Sequence, residues 1–298
     1  MKKTIRHYLY VSLLMLLPLW TSCDKDIHEN ESHGLAVGMK WLDDIEPTDI
    51  TSPVNLWIYD AEGHEVEAHE FSSPQELASG LFSLPEGDYT LVGVCGLTEP
   101  YRYDYENGTR TADMLRVSLA DPSASPAHAV GGVAGASVTD TRINLRSVIR
   151  VAPLLAELTV RIDGVPEGAE LAVTVRNAAT CLYPARQDDD NSYIVPSAEK
   201  SEAHLPQAVA DGGTLSTDAR LMPTAQGEAC TMLYMVMTLA DGSRHEYMAE
   251  APLMLPGKHY ELALEYDGMQ PHMYITAIGI TDWVEGWDIN GDVFHPGE

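Results

Sequence analysis

The chain has 298 residues, of which 45 are Asp or Glu and 18 are Lys or Arg, so its formal net charge is −27. An acidic excess of this size repels phosphate backbones, which argues against a nucleic-acid-binding protein. It argues equally against adhesion to anionic lipid through a basic patch. The four cysteines include no CxxC spacing, so neither a zinc knuckle nor a thioredoxin-like site is indicated.

The first 22 residues have the order of a secretory signal sequence. Three basic residues precede an apolar run, Leu9–Trp20, and a small pair precedes Cys23. The apolar run is shorter than the ~20 residues that a bilayer-spanning helix needs. A cysteine directly after the small pair resembles a bacterial lipoprotein signal, which implies cleavage before Cys23 and lipid attachment to it. The alternative is a plain signal peptide followed by a chance cysteine.

The residues after the signal predict a short tether and then two domains. Residues 23–33 are polar and acidic without apolar periodicity, which is typical of a flexible spacer. Residues 1–22 contain three of the basic residues and no acidic ones, so the mature chain would carry −30. At ~100–200 residues per domain, the rest predicts two domains. We place them at residues 34–145 and 146–298.

A β-hairpin is predicted early in the first domain, after a first strand at Gly34–Trp41. Apolar and aromatic residues alternate through Val54–Tyr59, as on a strand with two different faces. The apolar face carries Val54, Leu56 and Ile58, and the other face carries Trp57 and Tyr59. Asp60–Gly63 supplies a turn, and His64–Phe71 supplies the returning strand.

The remainder of the first domain alternates between strand and loop signals. Ser73 is a candidate cap for one short helical turn. Tyr89–Cys95 is apolar on both faces and predicts a central strand. Residues 98–111 are rich in Tyr, Asp, Asn and Gly and predict a long exposed loop. Met114–Leu119 predicts a strand, and Pro122–Ala136 predicts an irregular crossing without periodicity.

The second domain shows a series of strand signals separated by turns. They lie at Arg146–Val151, Leu154–Ile162, Leu171–Val175, Thr180–Tyr183, Gly213–Met222, Ala229–Leu239, His245–Ala251 and Met273–Ile280. Ala229–Leu239 fits either a long strand or a short buried helix, and its Thr, Tyr and Val residues favour the strand. Turn signals every ~8–12 residues with almost no helical periodicity predict an all-β chain of two β-sandwiches.

No catalytic residue, cofactor site or metal ligand is nominated by the sequence. His64 and His69 are five residues apart, so they face opposite sides of the predicted strand. Asp288–Asp292 has the alternating oxygens of a calcium loop but lacks the glycine and glutamate that must follow. Nucleophile-elbow, phosphate-loop and dinucleotide patterns are absent. Trp57 and Trp283 are predicted to be core residues rather than sugar-stacking platforms.

Three cysteines remain if Cys23 carries lipid. An exported protein meets an oxidising compartment, so Cys181 and Cys230 are candidates for a disulfide in the second domain. The other interpretation, which we prefer, is that Cys95, Cys181 and Cys230 are free thiols.

Seven short segments carry a family resemblance through their order and spacing. They are Cys23 with its signal, Val54–Gly63, Leu84–Tyr89, Leu158–Ile162, Ala251–Leu253, Gly257–Leu262 and Ile280–Trp283. Together they resemble the fimbrillin superfamily of Bacteroides-group pili, nearest its lipoprotein anchor and minor-subunit branch. The resemblance implies two transthyretin-like β-sandwich domains in tandem. It also implies a non-enzymatic role in pilus assembly or adhesion, without a cofactor.

The resemblance further implies partners and a location. Shaft subunits of the family are cut after an arginine near the mature N-terminus, and a neighbour's strand fills the vacated groove. No arginine lies between Cys23 and Arg102, so the anchor role fits this chain better than the shaft role. The expected partners are other fimbrillin-like subunits and the outer membrane, held through lipid on Cys23. A host or bacterial surface ligand is left unspecified.

A different function class shares many of these signals. A surface lipoprotein that binds glycan for nutrient uptake would have the same export signal and the same β-sandwiches. An exposed aromatic platform on Tyr101–Tyr105 would favour this alternative, because sugar stacking needs flat exposed rings. Tyrosine-rich loops also suit protein contacts, so the sequence leaves the two classes open.

Overall fold

The fold is described here from a computed structural model that covers residues 33–41, 52–122, 125–188, 192–267, 272–282 and 289–290. Residue 267 and those after it are described by their backbone alone. Strands dominate these residues, and the α-helix among them has six residues. The predicted all-β class with sandwiched sheets is confirmed. No helix in the described ranges is long and apolar enough to cross a membrane.

The first half of the chain supplies eight strands and the helix. In chain order they are β1 (Leu35–Trp41), β2 (Val54–Tyr59), β3 (Glu65–Phe71), α1 (Pro74–Ser79), β4 (Gly87–Cys95), β5 (Tyr101–Tyr105), β6 (Leu115–Leu119), β7 (Val130–Val138) and β8 (Leu145–Pro153). Six of these strands form one sheet in the order β1-β8-β7-β4-β2-β3. The other two, β5 and β6, belong to a second sheet.

The second half supplies the remaining strands. They are β9 (Ala156–Asp163), β10 (Glu170–Ala179), β11 (Cys181–Tyr183), β12 (Val195–Pro196), β13 (Lys200–His204), β14 (Ala208–Val209), β15 (Thr214–Leu221), β16 (Thr231–Thr238), β17 (Arg244–Ala251), β18 (Lys258–Asp267), β19 (His272–Asp282) and β20 (Ile289–Asn290). The second sheet has the order β12-β11-β6-β5. The third is β13-β10-β16-β17 with β14 beside β10, and the fourth is β15-β9-β18-β19-β20.

Strand pairing joins the two halves of the sequence. β8 begins at Leu145 and runs parallel to β1, from the pair Leu35 and Leu145 onward. β11 belongs to the second half but pairs antiparallel with β6. The described residues from Gly34 onward make one compact unit. The domain boundary predicted between residues 145 and 146 stays a prediction. Strand pairs β1–β8 and β6–β11 cross this boundary.

Strand β2 buries both of its faces, and its side chains divide between them as predicted. Val54, Leu56 and Ile58 enter a core that lies beneath α1. Trp57 and Tyr59 enter the larger core on the opposite side of the sheet. The first sheet is therefore covered on both faces at β2. Both faces of β2 carry apolar side chains because neither face meets water.

Helix α1 forms where a cap was predicted. The Ser73 hydroxyl accepts a hydrogen bond from the Glu76 backbone amide at 3.2 Å, and Pro74 occupies the first helical turn. Leu77 is the buried residue of the helix and joins the core beneath it. The cap thus orients one apolar side chain of a short helix onto the first sheet.

The larger core also fills the space between the third and fourth sheets. Inward residues of β16 are Leu233, Met235 and Met237, and residues of β9 and β18 oppose them in the same core. β16 lies within Ala229–Leu239, so the strand interpretation of that segment is confirmed and the helical one is wrong. Its side chains alternate between buried and half-buried positions, as expected for a sheet with one solvated face.

The loop predicted at residues 98–111 is wrong for its centre, whereas residues 98–100 and 106–110 are turns or irregular segments. Tyr101–Tyr105 is strand β5, which pairs with β6 from Tyr101 opposite Leu119 to Tyr105 opposite Leu115. Tyr101 is buried in the larger core. The Asp and Asn residues of the segment suggested a loop, whereas the tyrosines at every second position place three rings on one face of a strand, with Tyr101 buried and Tyr103 exposed.

The irregular crossing predicted at Pro122–Ala136 is wrong from Val130 onward, where β7 lies between β4 and β8. Its glycines are needed for close approach of two backbones. A Cβ atom on Gly132 would lie 1.9 Å from the carbonyl oxygen of Arg150. Glycine suggested a loop because it weakens strands in general, yet here it allows the backbones of two neighbouring strands to lie close together.

Candidate functional site at the open edges of the N-terminal sheets

The first strand is part of the folded core rather than an extension of the tether. Leu35, Val37 and Met39 are buried on the same face of β1 and join the core beneath α1. The Met39 sulfur lies 3.3 Å from the Cys95 sulfur. Burying an aliphatic side chain of this size contributes about 1.5–3 kcal/mol, so removing β1 would cost several such contributions.

Hydrogen bonds hold β1 from both sides. Along one side it pairs with β8 over seven residues. On the other side, Leu35 and Phe82 exchange two backbone hydrogen bonds, each 2.9 Å long. A Cβ atom on Gly93 would lie 2.2 Å from the Met39 methyl carbon, so Met39 lies directly on the β4 backbone. β1 thus occupies a slot that is shaped to its own side chains.

Two other strands end their sheets on the opposite side of this sandwich. β3 is the last strand of the first sheet, and β5 is the last strand of the second. Between them lies a groove with a volume of about 280 Å³. Its lining comes from β2, β3, β5 and the following turn: Asn55, Trp57, Glu65, Ala68, His69, Glu70, Tyr103, Tyr105 and Arg110.

A buried polar cluster closes one end of the groove. The Tyr105 hydroxyl donates to one carboxylate oxygen of Glu65, and the Arg110 guanidinium donates to the other at 2.7 Å. The Tyr59 and Tyr105 hydroxyl oxygens lie 2.9 Å apart. Because a phenol has one proton and Tyr105 gives its proton to Glu65, Tyr59 is the donor in this pair.

Burial sets the ionisation of this cluster. It raises the pKa of Tyr59 far above the usual value, and the hydrogen bond with Tyr105 adds to that effect. It also raises the pKa of Tyr105, where the Glu65 carboxylate further disfavours a second negative charge. Both phenols are therefore neutral at physiological pH. They act as fixed hydrogen-bonding groups rather than as acid–base catalysts.

Three cysteines are unpaired in the structure. Cys95 and Cys181 are buried, and Cys230 is half-buried. The free-thiol interpretation is thus the one that the fold contains, without a bond between Cys181 and Cys230. Burial raises the pKa of the Cys95 thiol to about 12. A thiol of this kind is unreactive at neutral pH, which is typical of a core residue.

The other candidate residues of the sequence lie apart from one another. His69 contacts Glu67 at 2.8 Å, and His64 lies 3.7 Å from Asp60. Within the ranges that the structure describes, no three potential ligands group around a metal position. Trp57 is buried, which confirms its prediction as a core residue. Cys23 and Trp283 lie outside the described residues, as does most of the calcium-like segment at 288–292.

A flat aromatic platform is not formed by the tyrosines of β5. Tyr101 is buried, and its hydroxyl donates to the Ala127 carbonyl at 2.6 Å. Tyr105 is occupied by the cluster around Glu65. Of the three tyrosines, Tyr103 alone is substantially exposed, at 45%. Tyr101–Tyr105 therefore presents one exposed aromatic residue rather than the platform of several rings that would favour a glycan-uptake lipoprotein.

Sequence reasoning missed the groove and its polar cluster. Tyr105 and Arg110 lie 40 and 45 residues after Glu65, and no motif in the sequence links the two segments. The available signal is the alternation of tyrosines in Tyr101–Tyr105, which indicates a strand with one inward face.

Comparison with known proteins places the chain in a family. The family model of the fimbrillin-A associated anchor proteins Mfa1 and Mfa2 matches residues 28–290. The chain belongs to this family. The predicted resemblance to fimbrillins is thus confirmed. Membership in the fimbrillin-A associated anchor family associates the chain with fimbriae at the cell surface, in a family of fimbrial proteins rather than enzymes.

Solved structures show the same fold at low sequence identity. The fimbrial anchor protein Mfa2 from Porphyromonas gingivalis has a TM-score of 0.58 and 12% identity, covering 87% of this chain and 99% of that one. A candidate adhesin from Bacteroides thetaiotaomicron has a TM-score of 0.55 and 13% identity, covering 85% and 97%. One from Bacteroides ovatus has 0.54 and 12%, covering 89% and 95%. No curated protein matches the chain.

Proposed function

We propose that this chain is a non-enzymatic, lipid-anchored subunit that holds a fimbrium at the outer membrane. It contributes to assembly and adhesion by β-strand complementation with neighbouring subunits. The observation that carries the proposal is the place of β1 within the chain's own core, together with membership of the anchor family. A chain that keeps its first strand also keeps its connection to Cys23.

The distribution of arginines supports retention of β1. The first arginine after Cys23 is Arg102, and it lies inside strand β5. Cleavage after Arg102 would separate β1–β4 from the rest of the sandwich, because four strands of the first sheet would leave together. An arginine-specific protease therefore has no site that releases β1 alone. The lipid on Cys23 stays joined to the folded protein.

A subunit that fills its own first-strand slot must meet neighbours at another edge. β19 pairs with β18 along its whole length, but with β20 only at Gly279 and Ile280. Among the strands that the structure describes, most of the β19 backbone is thus open on one side. Open backbone groups are what an added strand satisfies. We therefore assign the joining edge to β19.

The lipid anchor is tested by replacing its attachment residue. Cells that make the protein are grown with an alkynyl fatty acid, and the Cys23→Ser chain is compared with the natural one. We expect the natural chain to carry the label and to sediment with membranes, and the variant to lose both properties. Cys230→Ser is the matched control and should behave like the natural chain. Labelling that persists in Cys23→Ser would contradict the anchor.

A further inference from the structure

The groove lies between strands β3 and β5. Backbone contacts between the two chain segments close it at one end only. The Glu65 amide donates to the Arg110 carbonyl at 3.0 Å, and His64 forms an isolated bridge with Thr111. Beyond this closure no described strand pairs β3 with β5, and the groove extends between them. Its floor contains Trp57 and the buried amide of Asn55.

One aromatic ring is exposed at this groove and fixed in position. Tyr103 packs edge-on against Trp57, with the ring centroids 5.1 Å apart and the planes at 77°. The residue nevertheless keeps 45% of its surface exposed. A phenol that is held from below and open above can cover an apolar face of a small ligand without losing further side-chain freedom.

Hydrogen-bonding groups of both kinds surround this ring. The side chain of Glu65 is 10% exposed, so its carboxylate is held rigidly. Arg110 gives one of its five N–H groups to Glu65 in the bond described above, which leaves donors for a ligand. Glu70 and Asn55 add a carboxylate and an amide to the lining. The groove therefore offers acceptors and donors around one aromatic face.

We propose that this groove binds a single neutral sugar ring. A pyranose has an apolar C–H face that suits Tyr103, and hydroxyl groups that both donate to carboxylates and accept from a guanidinium. A volume of about 280 Å³ is small for a ligand pocket, so it suits one ring rather than a longer chain. The net charge of −27 disfavours polyanionic ligands. This site does not depend on the proposed role in fimbrial anchoring.

The test is a titration of the full chain in a detergent that has no sugar head group. The probes are glucose, galactose, mannose and N-acetylglucosamine, and the signal is the Trp57 indole N–H resonance, assigned with Trp57→Phe. We expect at least one sugar to shift this resonance saturably, with a dissociation constant in the millimolar range. Tyr103→Ala should weaken that binding about tenfold. Tyr193→Ala, which removes another tyrosine of similar exposure at 41%, should not weaken it.

Glu70→Gln is the second variant, in case Tyr103→Ala unfolds the sandwich. It keeps the side-chain shape and removes the charged acceptor, so it should also weaken sugar binding several-fold. The proposal is overturned if no sugar shifts the Trp57 resonance, or if both variants bind as tightly as the natural chain. A lysine-rich peptide is titrated as a further probe, and the proposal is equally overturned if this peptide alone shifts the resonance, because the groove would then bind an extended peptide.

Discussion

The close approach of β7 to its sheet neighbour β8 makes a strong prediction about one glycine. A Cβ atom on Gly132 would lie 1.9 Å from the Arg150 carbonyl oxygen, whereas ordinary contacts begin near 3.4 Å. Gly132→Ala must therefore separate two backbones by about 1.5 Å, and neither can rotate away as a side chain would. We expect a loss of more than about 3 kcal/mol in the free energy of unfolding. That loss corresponds to about 6–12 °C in Tm.

Gly135 provides the matched control in the same strand. A Cβ atom there meets nothing within 4 Å, so Gly135→Ala should change stability by less than about 1 kcal/mol. The assay is thermal and urea denaturation of both variants, followed by circular dichroism. Equal stability of Gly132→Ala and Gly135→Ala would refute the close approach of β7 to Arg150. It would also support the irregular segment that the sequence predicted at Pro122–Ala136.

Three further predictions follow from buried groups. At pH ~8, Ellman's reagent should label the half-buried Cys230 and spare Cys95, because burial raises the pKa of the Cys95 thiol to about 12. Early labelling of Cys95 would contradict its burial. Tyr105→Phe removes the proton given to Glu65 and should cost about 1–3 kcal/mol in urea denaturation; an unchanged midpoint would argue against the cluster. Burial lowers the pKa of His128 to about 4 from 6.5. The unfolded chain therefore binds the proton more readily, so the free energy of unfolding should fall as pH decreases from 6.5 to about 4. His128→Asn should make the free energy of unfolding less dependent on pH in this range.

Much of the fold follows from the periodicity of the sequence. Val54–Tyr59 alternates because β2 contacts a different core on each face, and the alternation alone is enough to assign the two sets of side chains. Ser73 could be assigned as a cap because its hydroxyl acts within four residues of the chain. Signals of this kind are local, so they survive without knowledge of the tertiary structure.

The errors arise where tertiary contacts override composition. Gly132 suggests a loop, yet it lies in β7, where the Arg150 carbonyl oxygen leaves no room for a side chain. Asp104 suggests a loop, yet pairing with β6 makes Tyr101–Tyr105 a strand, whereas Asn107 lies in the turn that follows it. In both cases the neighbouring strand lies outside the segment itself, so the composition of the segment alone does not identify the pairing.

The candidate site divides in the same way. The place of β1 in the fold could be anticipated, since Gly34–Trp41 is a predicted strand and the family resemblance concerns the fate of that strand. Its parallel pairing with β8 could not, because Leu35 and Leu145 are brought together only by the sheet order. The groove at Tyr103 depends on two sheet edges and leaves no local pattern.

The measurement that tests the central claim most directly is capture of the protein from intact cells after mild crosslinking, with its N-terminus determined by mass spectrometry. The proposal predicts a lipidated Cys23 on an uncut chain, recovered together with fimbrillin-like subunits. A free N-terminus beyond β1 would contradict retention of the first strand. Recovery of lipidated Cys23 with a glycan transporter and without a fimbrial subunit would contradict the anchoring role.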